Sequence, residues 1–156
     1  MSRLRVLVAE DSLTVRKRLC EVLASAPDIE VVGEAADGRE AIEMCVALRP
    51  DVVTLDMMMP VMSGLAATEY IMAHCPTPIL IVSASDNRGE VFKTYEALAA
   101  GALDAMDKPQ ADEIADEWER KLLSTVRLIS KIKVITHPRA RLASQGASAL
   151  PPATPS

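Results

Sequence analysis

The chain has 156 residues, 49% of them apolar and 25% charged, which suits one soluble globular domain with an appendage. A net charge of −5 argues against generic nucleic-acid binding, which needs a basic face. No apolar stretch is long enough to span a bilayer, and no signal peptide opens the chain. Cys20, Cys45 and Cys75 are spaced like neither a disulfide framework nor a zinc site, so reduced thiols in the cytosol are expected.

Strand and helix patterns alternate along the chain. Leu4–Ala9 reads as a strand ending at Glu10-Asp11. Ser12 is a predicted N-cap for a helix whose apolar stripe is Val15, Leu19, Val22 and Leu23, stopping near Pro27. Ile29–Ala35 is a second strand, turned by Asp37-Gly38 into a helix with Ala41, Ile42, Cys45 and Val46 inward. Between Pro50 and Pro60 lies Val52-Val53-Thr54-Leu55, a short β-branched run of the kind buried on both faces of a parallel sheet, and it ends at Asp56. Gly64 precedes a helix carrying Leu65, Ile71 and Met72. Ile79–Val82 is a fourth strand ending at Ser83, and the next helix is expected to face Val91, Tyr95 and Leu98 inward, with Gly101 as its C′ residue. Leu103–Met106 leads to Lys108-Pro109.

No Pro or Gly interrupts Asp112–Ile135, so a last helix of roughly 36 Å is expected at about 1.5 Å per residue. Its apolar positions Ala115, Trp118, Leu122, Thr125, Ile129 and Ile132 alternate spacings of three and four. Two readings stand: a core helix with a frayed end, or a signalling linker or dimer seam. Lys121, Arg127, Lys131, Lys133, Arg139 and Arg141 make its second half basic. Residues 1–120 form the expected domain, 121–137 the helix extension or linker, and 138–156 a flexible Pro/Ala/Ser-rich tail leading to an absent output domain.

Five strands alternating with helices imply a parallel α/β sheet with right-handed crossovers. In open sheets of this kind the ligand chemistry sits at the C-terminal ends of the strands. Glu10, Asp11, Asp56, Ser83 and Lys108 all fall there. Clustered carboxylates repel one another unless a counter-charge intervenes. A hard divalent cation such as Mg²⁺ supplies one and accepts phosphate oxygen in its shell. Lys108 supplies a second positive charge, and Ser83 a neutral donor beside the small Ala84. The set suits phosphoryl transfer onto Asp56 as nucleophile.

Val8-Ala9-Glu10-Asp11-Ser12, Leu55-Asp56-Met57-Met58-Met59-Pro60, Gly64, Ile81-Val82-Ser83-Ala84 and Lys108-Pro109 resemble the receiver domains of two-component response regulators over about residues 3–120. The resemblance implies a flavodoxin-like doubly wound sheet of strand order 2-1-3-4-5. It also implies Asp56 as phosphoacceptor from a sensor histidine kinase, and Mg²⁺ held by Glu10, Asp11, Asp56 and the backbone carbonyl of Met58. Ser83 and Lys108 would bind the phosphoryl group, and the Lys108–Pro109 bond is often cis in such domains. A narrower resemblance runs through Pro27–Gly33, Leu48–Asp56, Met59–Met62 and Gly101–Asp104. It is to the regulatory half of chemotaxis protein-glutamate methylesterases, in which the receiver occludes a C-terminal esterase that acts on chemoreceptors.

The esterase itself is not visible. Gly146-Ala147-Ser148 resembles the start of its motif, but Ala149–Pro152 departs from it, and His74 and His137 read as surface residues. Receivers usually carry an aromatic residue three positions before the lysine, and here that place is Ala105. Met58 cannot orient an attacking water by hydrogen bonding, so slow self-dephosphorylation is expected. It also lacks the second acid of an Asp-nucleophile phosphatase. Other readings are a stand-alone or adaptor receiver acting through protein contacts, and a receiver with a DNA-binding output.

Overall fold

In the computed structural model, residues 3–84, 88–109 and 115–135 are described. The chain runs β1 (Leu4–Ala9), α1 (Leu13–Ala24), β2 (Ile29–Ala35), α2 (Gly38–Leu48), β3 (Val52–Leu55), α3 (Gly64–His74), β4 (Ile79–Ser83), α4 (Arg88–Ala99), β5 (Asp104–Asp107) and α5 (Ala115–Ile129). The strands form one parallel sheet of order β2-β1-β3-β4-β5. This is the expected flavodoxin-like topology, with β1 and β3 adjacent at the point where the strand order reverses.

Side-chain alternation divides the core in two. Leu7, Ala9, Val53, Leu55, Ile79 and Ile81 face α2, α3 and α4, whereas Val6, Val8, Val52, Leu80, Val82 and Met106 face α1 and α5. With both faces covered, the central strands are apolar throughout. The two edge strands, β2 and β5, are the ones that carry exposed residues.

Local signals set most element ends. Ser12 Oγ accepts from Val15 N–H at the start of α1, and Asp37 Oδ1 accepts from Glu40 N–H at the start of α2. Gly101, at φ 125°, closes α4: its N–H donates to Leu98 C=O while Ala102 N–H donates to Ala97 C=O, the Schellman pattern.

Four expectations are corrected. Val46 is exposed, and the buried face of α2 is Gly38, Ala41, Ile42 and Cys45. Tyr95 is exposed too. The buried face of α4 is Glu90, Thr94 and Ala97, because two polar side chains on it are hydrogen-bonded to the end of β4. The helix expected to reach Ile135 ends at Ile129. Ser130 Oγ donates to Arg127 C=O, and Lys131 and Ile132 N–H make i→i−3 bonds that wind the last turn down. Val134 then packs on the opposite core, beside the α2–α4 layer. Finally, Lys108–Pro109 is trans, since no described peptide bond is cis. Within α5, Trp118, Leu122, Val126 and Ile129 are buried against the sheet and α1. Ile132, the last position of the expected seam, is exposed. The beginning of that expected helix, His137, Ser148 and the Pro/Ala/Ser-rich tail lie outside the described residues.

Candidate functional site

The register of β1 against β3 pairs Ala9 with Leu55, so the next residues, Glu10 and Asp56, leave the sheet side by side. Backbone bonds fix both: Glu10 N–H donates to Ala35 C=O, and Asp56 N–H donates to Ala9 C=O. Glu10 is 0% and Asp56 1% exposed, while Asp11 faces solvent at the mouth. One ligating oxygen from each of Glu10, Asp11 and Asp56 lies within 4.8 Å of the others.

Lys108 enters from beyond β5, positioned by its N–H bond to Ser83 C=O. Its ammonium stands 3.3 Å from Asp56 Oδ1 and 3.3 Å from Glu10 Oε2. Glu10 Oε2 also accepts from Ser12 N–H at 3.0 Å, so the capping residue of α1 helps to hold the acid. The other oxygens, Glu10 Oε1 and Asp56 Oδ2, are buried with no hydrogen-bond partner.

That arrangement has an electrostatic consequence. Burial, then the neighbouring Glu10 carboxylate, pushes Asp56 up to about 8 against the pull of Lys108. Burial likewise raises Glu10. Burial draws Lys108 downward, but the Asp56 and Glu10 charges outweigh it and leave the ammonium raised. One ammonium therefore neutralises the two buried acids only in part. The donor set fits a hard divalent cation: two orphaned carboxylate oxygens, a third acid at the opening, and excess negative charge that such an ion would relieve.

Two glycines let the loop carrying these groups close. A Cβ on Gly64 would lie 2.0 Å from Asp56 C=O and 2.7 Å from Met57 Cα. A Cβ on Gly38 would lie 2.1 Å from Met62 C=O, the acceptor of Gly38 N–H. The loop therefore packs backbone to backbone between the starts of α2 and α3. Within it, Val61 adopts φ 66°, an uncommon conformation for a β-branched residue. Met58 N–H donates to Asp56 Oδ1 at 3.4 Å, and the Met58 side chain is 44% exposed beside the mouth.

Ser83 ends β4 on the same side, but its hydroxyl is engaged elsewhere. Ser83 Oγ is 3.1 Å from Thr94 Oγ1, and Thr94 Oγ1 donates to Glu90 C=O at 2.9 Å. Because Thr94 has spent its single proton, Ser83 is the donor of the shared bond. The Glu90 carboxylate accepts from Ala84 N–H at 2.6 Å. Thr94 and Glu90 were not anticipated from sequence. Two polar residues one helical turn apart on the face that should be buried were the available signal.

Three acids and a lysine at the C-terminal edge of a 2-1-3-4-5 parallel sheet are the arrangement of a response regulator receiver domain. The model of that family matches residues 6–118, and the chain belongs to it. The chain is 43% identical over 155 residues to a protein-glutamate methylesterase/protein-glutamine glutaminase of Anaeromyxobacter dehalogenans, covering 97% of this chain and 45% of that protein. It is 46% identical over 133 residues to one from Syntrophus aciditrophicus, covering 85% of this chain and 38% of that protein. The chain thus spans less than half the length of these relatives. Among solved structures, it is similar to the response regulator domain of Thermotoga maritima CheB, with TM-score 0.75 and 37% identity over 84% of this chain and 98% of that one. It is also similar to a chain of the CheX-CheY-BeF3-Mg+2 complex from Borrelia burgdorferi, with TM-score 0.69 and 27% identity over 85% and 92% of the two chains.

Proposed function

We propose that the chain is the phospho-accepting regulatory domain of a chemotaxis-type protein-glutamate methylesterase, with Asp56 as acceptor. The observation that carries this reading is the Lys108 ammonium shared between Asp56 and Glu10 while each acid keeps one buried oxygen unpaired. Such a pocket is short of positive charge and is built around a carboxylate.

An Asp56 carboxylate oxygen attacks the phosphorus of a phosphohistidine on the kinase. The O–P bond forms as the P–N bond breaks, and the electron pair returns to the imidazole. Lys108 neutralises charge on the transferred oxygens, and the Ser83 hydroxyl donates to one of them after leaving Thr94. Glu10, Asp11, Asp56 and the Met58 carbonyl would hold Mg²⁺, which supplies the positive charge that lets the acids ionise together and offsets charge on the phosphoryl oxygens. Burial excludes water from the acceptor, and the apolar Met58 offers no hydrogen bond to orient an attacking one.

The input partner is a chemotaxis-type sensor histidine kinase. The output is a C-terminal methylesterase acting on chemoreceptors in the cytoplasm. Support comes from the relatives, of which this chain covers the receiver-sized part. The receiver takes in the whole of α5, because Leu122, Val126 and Ile129 belong to its core, so the boundary expected at 120 moves past Ile129, and 138–156 is the lead to the output domain. A kinase of this type carrying radiolabelled phosphoryl tests the reading. Label is expected to pass to the chain and not to Asp56→Asn, and label that stays on the kinase with both proteins contradicts it.

A further inference from the structure

Ala105 leaves this receiver without an aromatic side chain on β5, and a cavity lies where one would sit. It is lined by Ser83, Thr94, Tyr95, Leu98 and Ala105 among others, with a volume of about 210 Å³. An apolar cavity of about 150 Å³ is enough to hold a benzene ring. Ser83, itself buried, lines it, and its hydroxyl donates to Thr94. The rim is Tyr95, the next residue of α4, 67% exposed although it borders this space.

We propose that in this chain the phosphorylation signal leaves the site through the Ser83–Thr94 hydrogen bond, and that the Tyr95 ring then seats in the cavity over Ala105. The inference rests on Asp56 being the phosphoacceptor. Ser83 has one proton to donate. When it turns to a phosphoryl oxygen, Thr94 loses its tie to β4, leaving α4 held there by the Glu90 carboxylate on Ala84 N–H. The same turn withdraws the hydroxyl from the cavity wall. An exposed ring at the rim then gains by burial: an aromatic side chain is among the largest apolar surfaces a protein can remove from water. The phenol oxygen can stay at the opening, where water satisfies it. The device places the moving aromatic on α4, next to the residue that senses Ser83, and needs no aromatic on β5.

The test labels the chain with 3-fluorotyrosine in a Tyr70→Phe background, so that Tyr95 carries the one fluorine, Tyr70 and Tyr95 being the two tyrosines of the sequence. Beryllofluoride with Mg²⁺ serves as the phosphoryl mimic, and backbone amide resonances of Asp56 and Ser83 report the site itself. The expected result is a new Tyr95 fluorine position whose H₂O/D₂O shift falls by half or more. In Ala105→Leu, which fills the cavity, the amides should still respond while the fluorine stays exposed. In Thr94→Val the fluorine should lie part-way to its buried position before any beryllofluoride is added. Site amides that respond while the fluorine stays exposed in the Tyr70→Phe chain overturn the proposal. So does a fluorine that is buried equally well in Ala105→Leu, or a Thr94→Val chain indistinguishable from its parent in both states. If neither amides nor fluorine respond, the phosphoacceptor reading fails and this inference falls with it.

Discussion

The Lys108 ammonium lies 3.3 Å from Asp56 Oδ1, and it reaches that acid from a strand two positions away in the sheet. The contact joins the end of β3 to the end of β5 across β4. It places the lysine's charge on the side of Asp56 from which Glu10 is also neutralised. Asp56 Oδ2 is left buried without a partner, and the electrostatic behaviour of the domain follows from that imbalance.

The first consequence concerns stability. Asp56 sits at about 8 in the folded chain against an ordinary 3.8. Between those values the folded state holds a proton that the unfolded chain gives up. This contribution is therefore fully present below the lower value and is lost as pH rises through the upper one. Asp56→Asn, which mimics the protonated acid, should match the parent in metal-free thermal unfolding at low pH. It should exceed the parent by about 2–4 kcal/mol above pH 8. A gap that stays constant with pH contradicts the assignment.

The second consequence concerns Mg²⁺. A cation bound by Glu10, Asp11 and Asp56 needs the ionised acids, so its binding should expel a proton at neutral pH and tighten as pH rises toward about 8. Titration calorimetry in two buffers of different ionisation enthalpy measures that proton. Equal heats in both buffers would show that Asp56 is already ionised.

Gly64→Ala tests the packing that holds the acceptor loop. The new Cβ would meet Asp56 C=O and Met57 Cα, both backbone, so no side-chain rotation relieves the contact. A loss of about 3 kcal/mol or more is expected in urea unfolding. A change within about 0.5 kcal/mol would mean that α3 can back away from the site at little cost.

Met58 borders the mouth of the site and offers no polar group to an incoming water. Met58→Asn should shorten the lifetime of the phosphorylated chain several-fold, read as phosphoryl loss after the donor is removed. An unchanged or longer lifetime contradicts that role.

Much of this was legible in the sequence because it depends on local signals. The β-branched run before Asp56, the Ser12 and Asp37 caps and the Gly101 stop each act within a few residues, and the strand alternation with helices sets the sheet. The convergence of Glu10, Asp11, Asp56 and Lys108 followed from their places at strand ends. The face of α4 was misread in part: Leu98 packs on the core as expected, but Tyr95 does not, because Thr94 and Glu90 accept hydrogen bonds from the end of β4 and so turn their own side of α4 inward. Those partners belong to another element and leave no mark on helical spacing. The end of α5 was misread for a related reason. Nothing in Lys131-Ile132-Lys133 breaks a helix, but Ile132 is exposed there, and Val134 packs on the other core. The left-handed Val61 is dictated by the loop's close packing between two helix starts, again a property of the fold.

The central claim is that Asp56 is a phosphoacceptor, and the most direct measurement is intact mass after incubation with a small-molecule phosphodonor and Mg²⁺. One added phosphoryl group is expected on the parent chain and none on Asp56→Asn. A parent chain that gains no mass, or an Asp56→Asn chain that gains the same mass as the parent, would contradict the account.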